Sequence, residues 1–288
     1  MLNILVAPIK SVARAQKVTR TIVKYLKEQN VEYSVYFSLD HDDMLKNVKE
    51  LHDNGEFEFV IVGDDIMLNK FVNYFKDLSK IKFGIIPVGK KCDFANCLGV
   101  ESKPIKSIQR ILNKEIQLVD YLQINDRRVL NNLIIGASVE TAIAYEQYRL
   151  KNFFSKKFAE INHGQKFNGV DLSLRIKNEK NIEETIFELI VANAGYSEGK
   201  NVSPLANMSD GLFNISYSTA EEAQDKKRFV KDMNEGKHIY DDRVVQLWTD
   251  NLKITNDDKK IKALVDGVYD SFDEINVAIV ENGLKIYK

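Results

Sequence analysis

The sequence has little cysteine, histidine or proline. It contains two cysteines, four histidines and four prolines among 288 residues. Cys92 and Cys97 lie five positions apart, and no histidine stands within ten residues of either one, so their spacing does not indicate a zinc site. Such sparse cysteine is typical of a reducing compartment. The composition favours an ordinary hydrophobic core that needs no disulfide or metal support.

Long apolar runs and an excess of charge of one sign are also missing. No apolar run approaches the ~20 residues that span a bilayer, and the first residues resemble a strand more than a signal peptide. There are 41 basic and 42 acidic residues, for a formal net charge of −1, which argues against a nucleic-acid partner. We expect a soluble, cytoplasmic protein. A local basic patch would suffice to hold it at the periphery of a membrane.

The first half of the chain alternates predicted strands with predicted helices. The strands cover 3–8, 33–38, 57–62 and 82–88, and the helices cover 15–29, 41–51, 67–75, 93–98 and 105–112. Asp40 stands where the second helix needs an N-cap. Strands that alternate with helices predict a three-layer α/β domain with a parallel sheet.

The second half is dominated by short strands with alternating apolar and polar residues. Residues 116–125, 128–135 and 170–177 are examples. Residues 185–194 form a strongly apolar strand, and further strands end with 275–280 and 284–287. This pattern predicts an antiparallel β-sandwich, interrupted by helical insertions at 139–161 and 220–234. We therefore expect an α/β domain over 1–120 and a β-sandwich domain over 121–288, with a last strand that is able to return to the first domain.

The insertion at 139–161 combines apolar and basic side chains. It carries Leu150, Phe153, Phe154 and Phe158 together with Arg149, Lys151, Lys156 and Lys157. One interpretation is an amphipathic segment that faces a membrane with anionic lipids. The other is a helix that packs its aromatic residues on its own sandwich. Because Glu146 and Glu160 dilute the positive charge, packing on the sandwich is the favoured expectation.

Two glycine turns follow neighbouring strands of the predicted parallel sheet. The first is Gly63-Asp64-Asp65, and the second is Gly89-Lys90-Lys91, with Asp93 just beyond. Ligands of open α/β sheets bind outside the carboxyl ends of the strands. A glycine turn there exposes backbone amides to a phosphate, and an aspartate beside it is a suitable Mg²⁺ ligand.

These turns lie in longer stretches that resemble a known family. The first reads VGDDIMLNKFVN and the second FGIIPVGKKCDFANCLGV; farther on come VANAGYSEGKNVSPLANMSDGLFNI and ALVDG. Together they resemble the catalytic domains of diacylglycerol kinases and sphingosine kinases. The matching positions include Gly63, Asp65, Leu68-Asn69, Gly89, Asp93-Phe94-Ala95, Leu98-Gly99, Pro204, Asp210-Gly211-Leu212 and Asp266-Gly267.

The resemblance implies an NAD-kinase-like α/β domain, a C-terminal sandwich and the phosphorylation of a lipid hydroxyl. ATP and Mg²⁺ would be required, and the substrate would be a lipid such as diacylglycerol at a membrane surface. The resemblance places Gly63, Asp65, Asn69, Gly89, Lys90 and Lys91 at the nucleotide. It places Asp65 and Asp93 at the metal and makes Asp266 the general base. It leaves open whether the protein forms a homo-oligomer.

The sequence departs from the family pattern inside the same motifs. Asp64 and Ile66 replace glycines of the first turn, Met67 replaces a threonine, and Lys90-Lys91-Cys92 stands where the family has Thr-Gly-Asn. Val268 replaces the last glutamate, and the sequence does not indicate whether nearby Asp270 or Asp273 takes over its role.

The sequence therefore leaves two functions open. One is an ATP-dependent lipid kinase, with weak or lost activity. The other is a catalytically inactive homologue that binds a lipid or nucleotide or has a regulatory role. A soluble-substrate kinase of the NAD-kinase type is disfavoured by the D-F-A-x-x-L-G and P-x-A stretches.

Overall fold

The computed structural model describes residues 1–7, 12–89, 92–177, 180–257 and 259–288. The chain forms two compact units. The first contains residues 1–120 and 281–288, and the second contains residues 121–280.

The first unit has the α/β pattern that the sequence predicts. Its strands are β1 (Leu2–Val6), β2 (Tyr33–Phe37), β3 (Glu58–Gly63) and β4 (Lys82–Pro87). Its helices are α1 (Val12–Glu28), α2 (His41–Asp53), α3 (Asp65–Tyr74), α4 (Asp93–Cys97) and α5 (Pro104–Leu112). The carboxylate of Asp40 accepts the amide hydrogen of Asp43 at 2.8 Å, which explains why α2 begins at His41. Residue 8, the end of the first predicted strand, lies outside the described residues.

The strands of this unit form a parallel sheet in the order β2-β1-β3-β4. Val60 and Val62 of β3 pack in one core cluster with Ile22 of α1 and Ile108 of α5. Phe59 points to the other face, where its ring lies 5.3 Å from that of Phe71 in α3. Helices therefore cover both faces of the sheet, and the predicted three-layer α/β architecture is confirmed.

The second unit consists mainly of antiparallel strands. They are β5 (Ile116–Ile124, which begins in the first unit), β6 (Arg127–Val129), β7 (Asn132–Gly136), β8 (Val170–Ile176), β9 (Lys180–Ile186), β10 (Glu188–Ala192), β11 (Tyr196–Ser197), β12 (Lys200–Asn201), β13 (Phe213–Ser218), β14 (Val244–Thr249), β15 (Asn251–Thr255), β16 (Ile261–Val265), β17 (Val268–Phe272) and β18 (Glu274–Tyr287). The helices are α6 (Ala137–Gln147), α7 (Phe153–Ala159) and α8 (Ala223–Asn234), with a π-helical turn at Glu160–Gly164 and a 3-10 turn at His238–Tyr240.

Two sheets form the predicted sandwich. One has the order β14-β13-β10-β7-β16-β17, and in the other the first part of β18 pairs with β15, which is followed by β8 and β9. Leu174, Leu189 and Ile254 are fully buried members of the core between them. The expected antiparallel β-sandwich is thus confirmed. The last residues of β18 belong to the first unit, where Ile286 pairs in parallel with Phe83 of β4.

Four predicted strands are divided differently in the structure. The strand predicted over 128–135 is broken at Leu130 and Asn131, whose amides donate to the carboxylate of Asp266. The strand predicted over 185–194 is broken at Phe187, so that β9 and β10 belong to different sheets. Conversely, the strands predicted over 275–280 and 284–287 form the single strand β18.

The prediction of one continuous helix over 139–161 is also wrong. Helix α6 ends at Gln147, and α7 begins after Asn152, which forms a capping box with Ser155. The expectation that its aromatic residues pack on the sandwich is wrong as well, since Phe153 and Phe154 are 77% and 80% exposed. In the part of the chain that the structure describes, no helix has the length and apolar character required to cross a bilayer.

Candidate active site

The two glycine turns of the first unit lie side by side. Strands β3 and β4 are parallel neighbours whose last residues, Gly63 and Pro87, are in register. The amide of Val88 donates to the carbonyl oxygen of Gly63 at 2.9 Å. The turns that lead into α3 and α4 therefore start from the same edge of the sheet, as the sequence predicts for a ligand site.

Asp65 links the two turns. Its side chain is buried, and its Oδ2 accepts the amide hydrogens of Asp93 at 2.7 Å and of Phe94 at 3.2 Å. Hydrogen bonds to a charged acceptor are stronger than those between neutral groups, so this carboxylate holds the start of α4 against the start of α3. Asp93 is itself buried in the first turn of α4.

Asp64 occupies the N-terminus of α3. It is the N-cap residue, and its Oδ1 accepts the amide hydrogen of Met67 at 3.3 Å. One of the amides that a helix N-terminus offers to an anion is therefore already bonded within the chain. Gly89 lies directly against this aspartate: a Cβ atom at Gly89 would lie 3.2 Å from the Cβ atom of Asp64.

The local structure explains why glycine is present at both Gly63 and Gly89. Gly89 has φ +141°, a backbone conformation that favours glycine. A Cβ atom at Gly63 would lie 2.8 Å from both the Cβ atom of Ala7 and the Sδ atom of Met67. Gly63 is thus required by packing inside the first unit, whether or not a phosphate approaches its amide.

Three carboxylates lie near Cys92 among the residues of this site that the structure describes. Burial and the carboxylates of Asp65, Asp64 and Asp93 raise the pKa of the Cys92 thiol to about 12. The protonated thiol donates to the carbonyl oxygen of Gly63 at 3.9 Å. These carboxylates would repel a nucleotide phosphate placed beside them, since like charges repel more strongly where water is excluded.

The remaining nucleotide candidates are placed as follows. Asn69 lies half-buried on α3, where its backbone oxygen accepts from Nδ2 of Asn73 at 2.9 Å. Lys90 and Lys91 lie outside the described residues. Among the residues that are described, no group of three or more acidic, histidine or cysteine side chains is arranged to hold a metal. Asp65 and Asp93 would fit Mg²⁺ only if phosphate oxygens or water supplied its other ligands.

Asp266 lies in the second unit, on the turn between β16 and β17. Its φ is +47°, and its carboxylate accepts the amide hydrogens of Leu130 at 2.9 Å, Asn131 at 2.8 Å and Asn132 at 3.2 Å. Since a carboxylate offers about four acceptor positions, at least three are engaged with the backbone. Asp266 therefore positions the segment between β6 and β7, in addition to any chemical role.

The two acids near Val268 each lie close to a basic side chain. Val268 opens β17 with half of its surface exposed. Asp270 forms an ion pair with Arg127 at 2.9 Å. Asp273 lies beyond the end of β17, is exposed, and lies 3.6 Å from the Nζ of Lys260.

Sequence reasoning did not predict that two asparagines stabilise the backbone around the segment bound to Asp266. Nδ2 of Asn193 donates to the oxygen of Leu130 at 3.0 Å, and Nδ2 of Asn132 donates to the oxygen of Tyr196 at 2.8 Å. Both asparagines are buried. The pair Asn131-Asn132 within an otherwise apolar strand could have indicated a buried hydrogen-bond network, because buried amides need partners.

Comparison with known proteins places both units in one family. Residues 2–124 match the diacylglycerol kinase catalytic domain, and residues 135–287 match the YegS C-terminal NAD kinase beta sandwich-like domain. The chain is 25% identical over 228 residues to the diacylglycerol kinase of Bacillus subtilis (strain 168), covering 74% of this chain and 72% of the relative.

Two further proteins show the extent of the similarity. A candidate lipid kinase of Staphylococcus carnosus (strain TM300) is 28% identical over 162 residues, which span 54% of this chain and about half (52%) of the relative. The crystal structure of a diacylglycerol kinase from Bacillus anthracis (strain Sterne) superposes with a TM-score of 0.76 at 14% identity. That superposition covers 99% of this chain and 96% of the other. The structural likeness supports the fold.

Proposed function

Because the chain belongs to the diacylglycerol kinase and YegS lipid kinase family, we propose that it transfers the γ-phosphate of ATP to the hydroxyl of a lipid such as diacylglycerol, at a strongly reduced rate. The observation that carries this proposal is the buried carboxylate of Asp65, which joins the two glycine turns through the amides of Asp93 and Phe94. The acids that the family resemblance assigns to chemistry are present at Asp65, Asp93 and Asp266.

In this proposal the roles follow the family positions. Asp65 and Asp93 would take part in holding Mg²⁺, which would supply charge neutralisation to the transferring phosphoryl group. The family positions Gly63, Asn69, Gly89, Lys90 and Lys91 would contact the nucleotide. Asp266 accepts the proton of the lipid hydroxyl, while its amide partners keep the carboxylate in a defined orientation.

Two substitutions support the reduced rate. Asp64 places a carboxylate on an amide of α3 that would otherwise be available to a phosphate. Val268 removes an acidic side chain from the last motif. Phosphoryl transfer relies mainly on positioning and charge neutralisation. Both substitutions affect these two factors and should therefore lower the rate.

The second candidate is a catalytically inactive homologue that binds a lipid. The specific observation in its favour is again Asp64, because the N-terminus of α3 is capped by the chain itself and Gly89 packs against that cap. In that case the lipid-binding role persists and ATP has no part in it.

The test measures the transfer of phosphate from Mg-ATP to diacylglycerol in mixed micelles. We compare the wild type with Asp266→Asn and with the double variant Asp64→Gly, Val268→Glu. Asp64 is partly buried and Val268 is exposed, and glycine is tolerated at an N-cap. We expect slow transfer by the wild type, background levels for Asp266→Asn, and at least a tenfold faster rate for the double variant.

Other outcomes decide between the candidates. If the wild type equals Asp266→Asn and the double variant gains nothing while lipid binding persists, the inactive homologue is correct. Transfer by the wild type at the rate of the double variant contradicts the reduced rate. Absence of both transfer and lipid binding contradicts both candidates.

A further inference from the structure

A row of four basic side chains lies on the outer face of α1. It consists of Lys17, Arg20, Lys24 and Lys27, which are all exposed. They are spaced by three, four and three residues, so at about 3.6 residues per turn they fall within an arc of about 80° around the helix axis. We call these four residues the basic row.

The basic row points away from the core of the first unit. Ala15, Ile22 and Leu26 of α1 are buried members of that core. Helical geometry places the mean direction of these three side chains about 160° from that of the basic row. The packing of α1 on its own unit therefore leaves the row available to a partner.

Most charges of the basic row have no acidic partner within the chain. Among the residues that the structure describes, Lys24 is the one member of the row with an ion pair, at 4.0 Å to Glu28. By contrast, Arg228 on α8 lies 3.5 Å from Asp232 and 3.7 Å from Asp241. Helix α1 contains five basic residues and one acidic residue, whereas the whole chain has a net charge of −1. The excess of positive charge is thus local to α1.

We propose that the basic row docks a partner protein through a helix whose carboxylates repeat at the same spacing. An α-helix rises about 1.5 Å per residue, so acids spaced by three, four and three residues stay in register with the row over its length of ~15 Å. Alternating steps of three and four residues are also those that keep two helices side by side in a coiled coil. Complementary charges of this kind determine the choice of partner and the register of docking more than the affinity.

The surroundings of the basic row favour a protein partner over a bilayer or a nucleic acid. The exposed residues that flank it are Gln16, Thr21 and Glu28, and no large apolar side chain is exposed among the described side chains of α1. A segment that binds a membrane surface inserts apolar side chains, and proteins that bind single-stranded nucleic acid stack aromatic side chains on its bases. An acidic helix needs neither of these features.

The experiment measures binding of the full chain to dye-labelled synthetic helical peptides by fluorescence anisotropy at low ionic strength. The aligned peptide carries four glutamates spaced by three, four and three residues. The scrambled peptide has the same composition, but its glutamates are distributed around the whole helix. We expect the aligned peptide to bind roughly fivefold more tightly than the scrambled one, with an affinity that falls as salt is added.

Substitutions in the basic row test whether it forms the binding surface. The double variant Arg20→Gln, Lys24→Gln should lose roughly two- to fivefold in affinity per charge. The quadruple variant Lys17→Glu, Arg20→Glu, Lys24→Glu, Lys27→Glu should release the aligned peptide and instead bind a peptide with lysines in place of its glutamates. A residue with a purely structural role would not produce this exchange of partners.

The matched control is the double variant Lys46→Gln, Lys49→Gln on α2. Both side chains are exposed, and the control removes the same net charge from the protein as the double variant of the basic row. It should therefore bind the aligned peptide like the wild type. Circular dichroism of each variant checks that the fold is kept.

Three results would overturn the proposal. The first is equal affinity of the wild type for the aligned and scrambled peptides, which would indicate charge attraction without a defined register. The second is a quadruple variant that binds the aligned peptide like the wild type. The third is wild-type protein that ignores the aligned peptide but binds duplex DNA or anionic vesicles in a manner that the quadruple variant abolishes, which would assign the basic row to another occupant.

Failure of this docking and failure of the proposed function are distinguishable. The peptide assay contains neither ATP nor lipid, so its result does not depend on phosphate transfer. Peptide binding without transfer leaves the docking intact and contradicts the kinase. Transfer without selective binding of the aligned peptide leaves the kinase intact and overturns the docking.

Discussion

At the scale of single residues, three partly or fully buried acids of this protein act as acceptors for backbone amides. Asp65 accepts the amides at the start of α4, Asp266 accepts three amides between β6 and β7, and Glu188 accepts the amide of Ser138 at the start of α6. A buried carboxylate is costly unless it is hydrogen-bonded. These acids therefore have structural roles that are independent of catalysis. Replacing one of them affects the local structure as well as any catalytic role.

Glu188 is the most strongly buried of these acids. Burial raises its pKa to about 7, against the opposing effect of its hydrogen bond from Ser138. Among the described residues, no donor reaches its Oε1. A lone glutamate inside an apolar strand was visible in the sequence, but its burial required the structure.

The stability of the protein should fall with rising pH because of Glu188. A raised folded-state pKa means that its contribution is fully present below pH 4.5 and is lost as the pH rises through about 7. The loss should reach about 3 kcal/mol, since a tenfold change in an acid dissociation constant corresponds to ~1.4 kcal/mol. Urea unfolding between pH 5 and pH 8 (a range of about three units around the folded-state pKa) measures this slope.

The variant Glu188→Gln should flatten that slope. Glutamine adds a cost of its own through its amide group, but that cost does not depend on pH, so slopes are compared and not absolute stabilities. Glu146→Gln, an exposed acid, is the control that keeps the wild-type slope. An unchanged slope in Glu188→Gln would refute the assignment.

At the scale of elements, the ends of the helices determine what the candidate site can bind. Helix α3 begins one residue after Asp64, whose carboxylate bonds to its third amide. The same side chain thus stabilises the helix and disfavours an anion at its N-terminus. Capping and phosphate binding compete here for one group of amides.

Replacing Asp64 by alanine should destabilise the protein by about 1 kcal/mol, because the N-cap bond is lost. Asp64→Gly should destabilise it by much less, since glycine is itself an accepted N-cap residue. Asp40→Ala, which removes the corresponding cap of α2, is the matched comparison and should cost a similar amount. Chemical denaturation gives the free energies; equal stability of Asp64→Ala and the wild type would show that the cap contributes nothing.

At the scale of the whole molecule, the chain reaches the first unit from both of its ends. Residues 281–288 return there, and Leu284, Ile286 and Tyr287 are almost completely buried. Oη of Tyr287 also accepts a hydrogen bond from Lys114 at 3.3 Å. The first unit is therefore built from segments that are far apart in sequence. Local sequence patterns do not encode such long-range contacts.

A chain that ends at residue 280 should have a destabilised first unit. Burial of a large apolar side chain contributes about 1.5–3 kcal/mol, so the loss of these three should cost roughly 4 kcal/mol or more. Hydrogen exchange of the β4 amides should lose protection, whereas a chain lacking only Lys288 should keep it. Undiminished protection of β4 in the shorter chain would contradict this prediction.

Local sequence patterns were sufficient for much of this protein. The alternation of strands and helices predicted the parallel α/β architecture, and period-two patterns predicted the sandwich, because both arise from which face of each element is apolar. The turns at Gly63 and Gly89 were recognisable as a pair. Their juxtaposition followed from the rule that neighbouring parallel strands end at one edge of a sheet.

The sequence by itself determined the two architectures, the family and the presence of Asp65, Asp93 and Asp266. Only the tertiary structure decided that Asp64 caps α3, that Asp266 binds amides 134 to 136 residues away, and that Phe153 and Phe154 are exposed. The physical reason is that a pattern specifies which side chains are apolar or charged. Which partner covers or binds each of them depends on segments that meet only when the chain is folded.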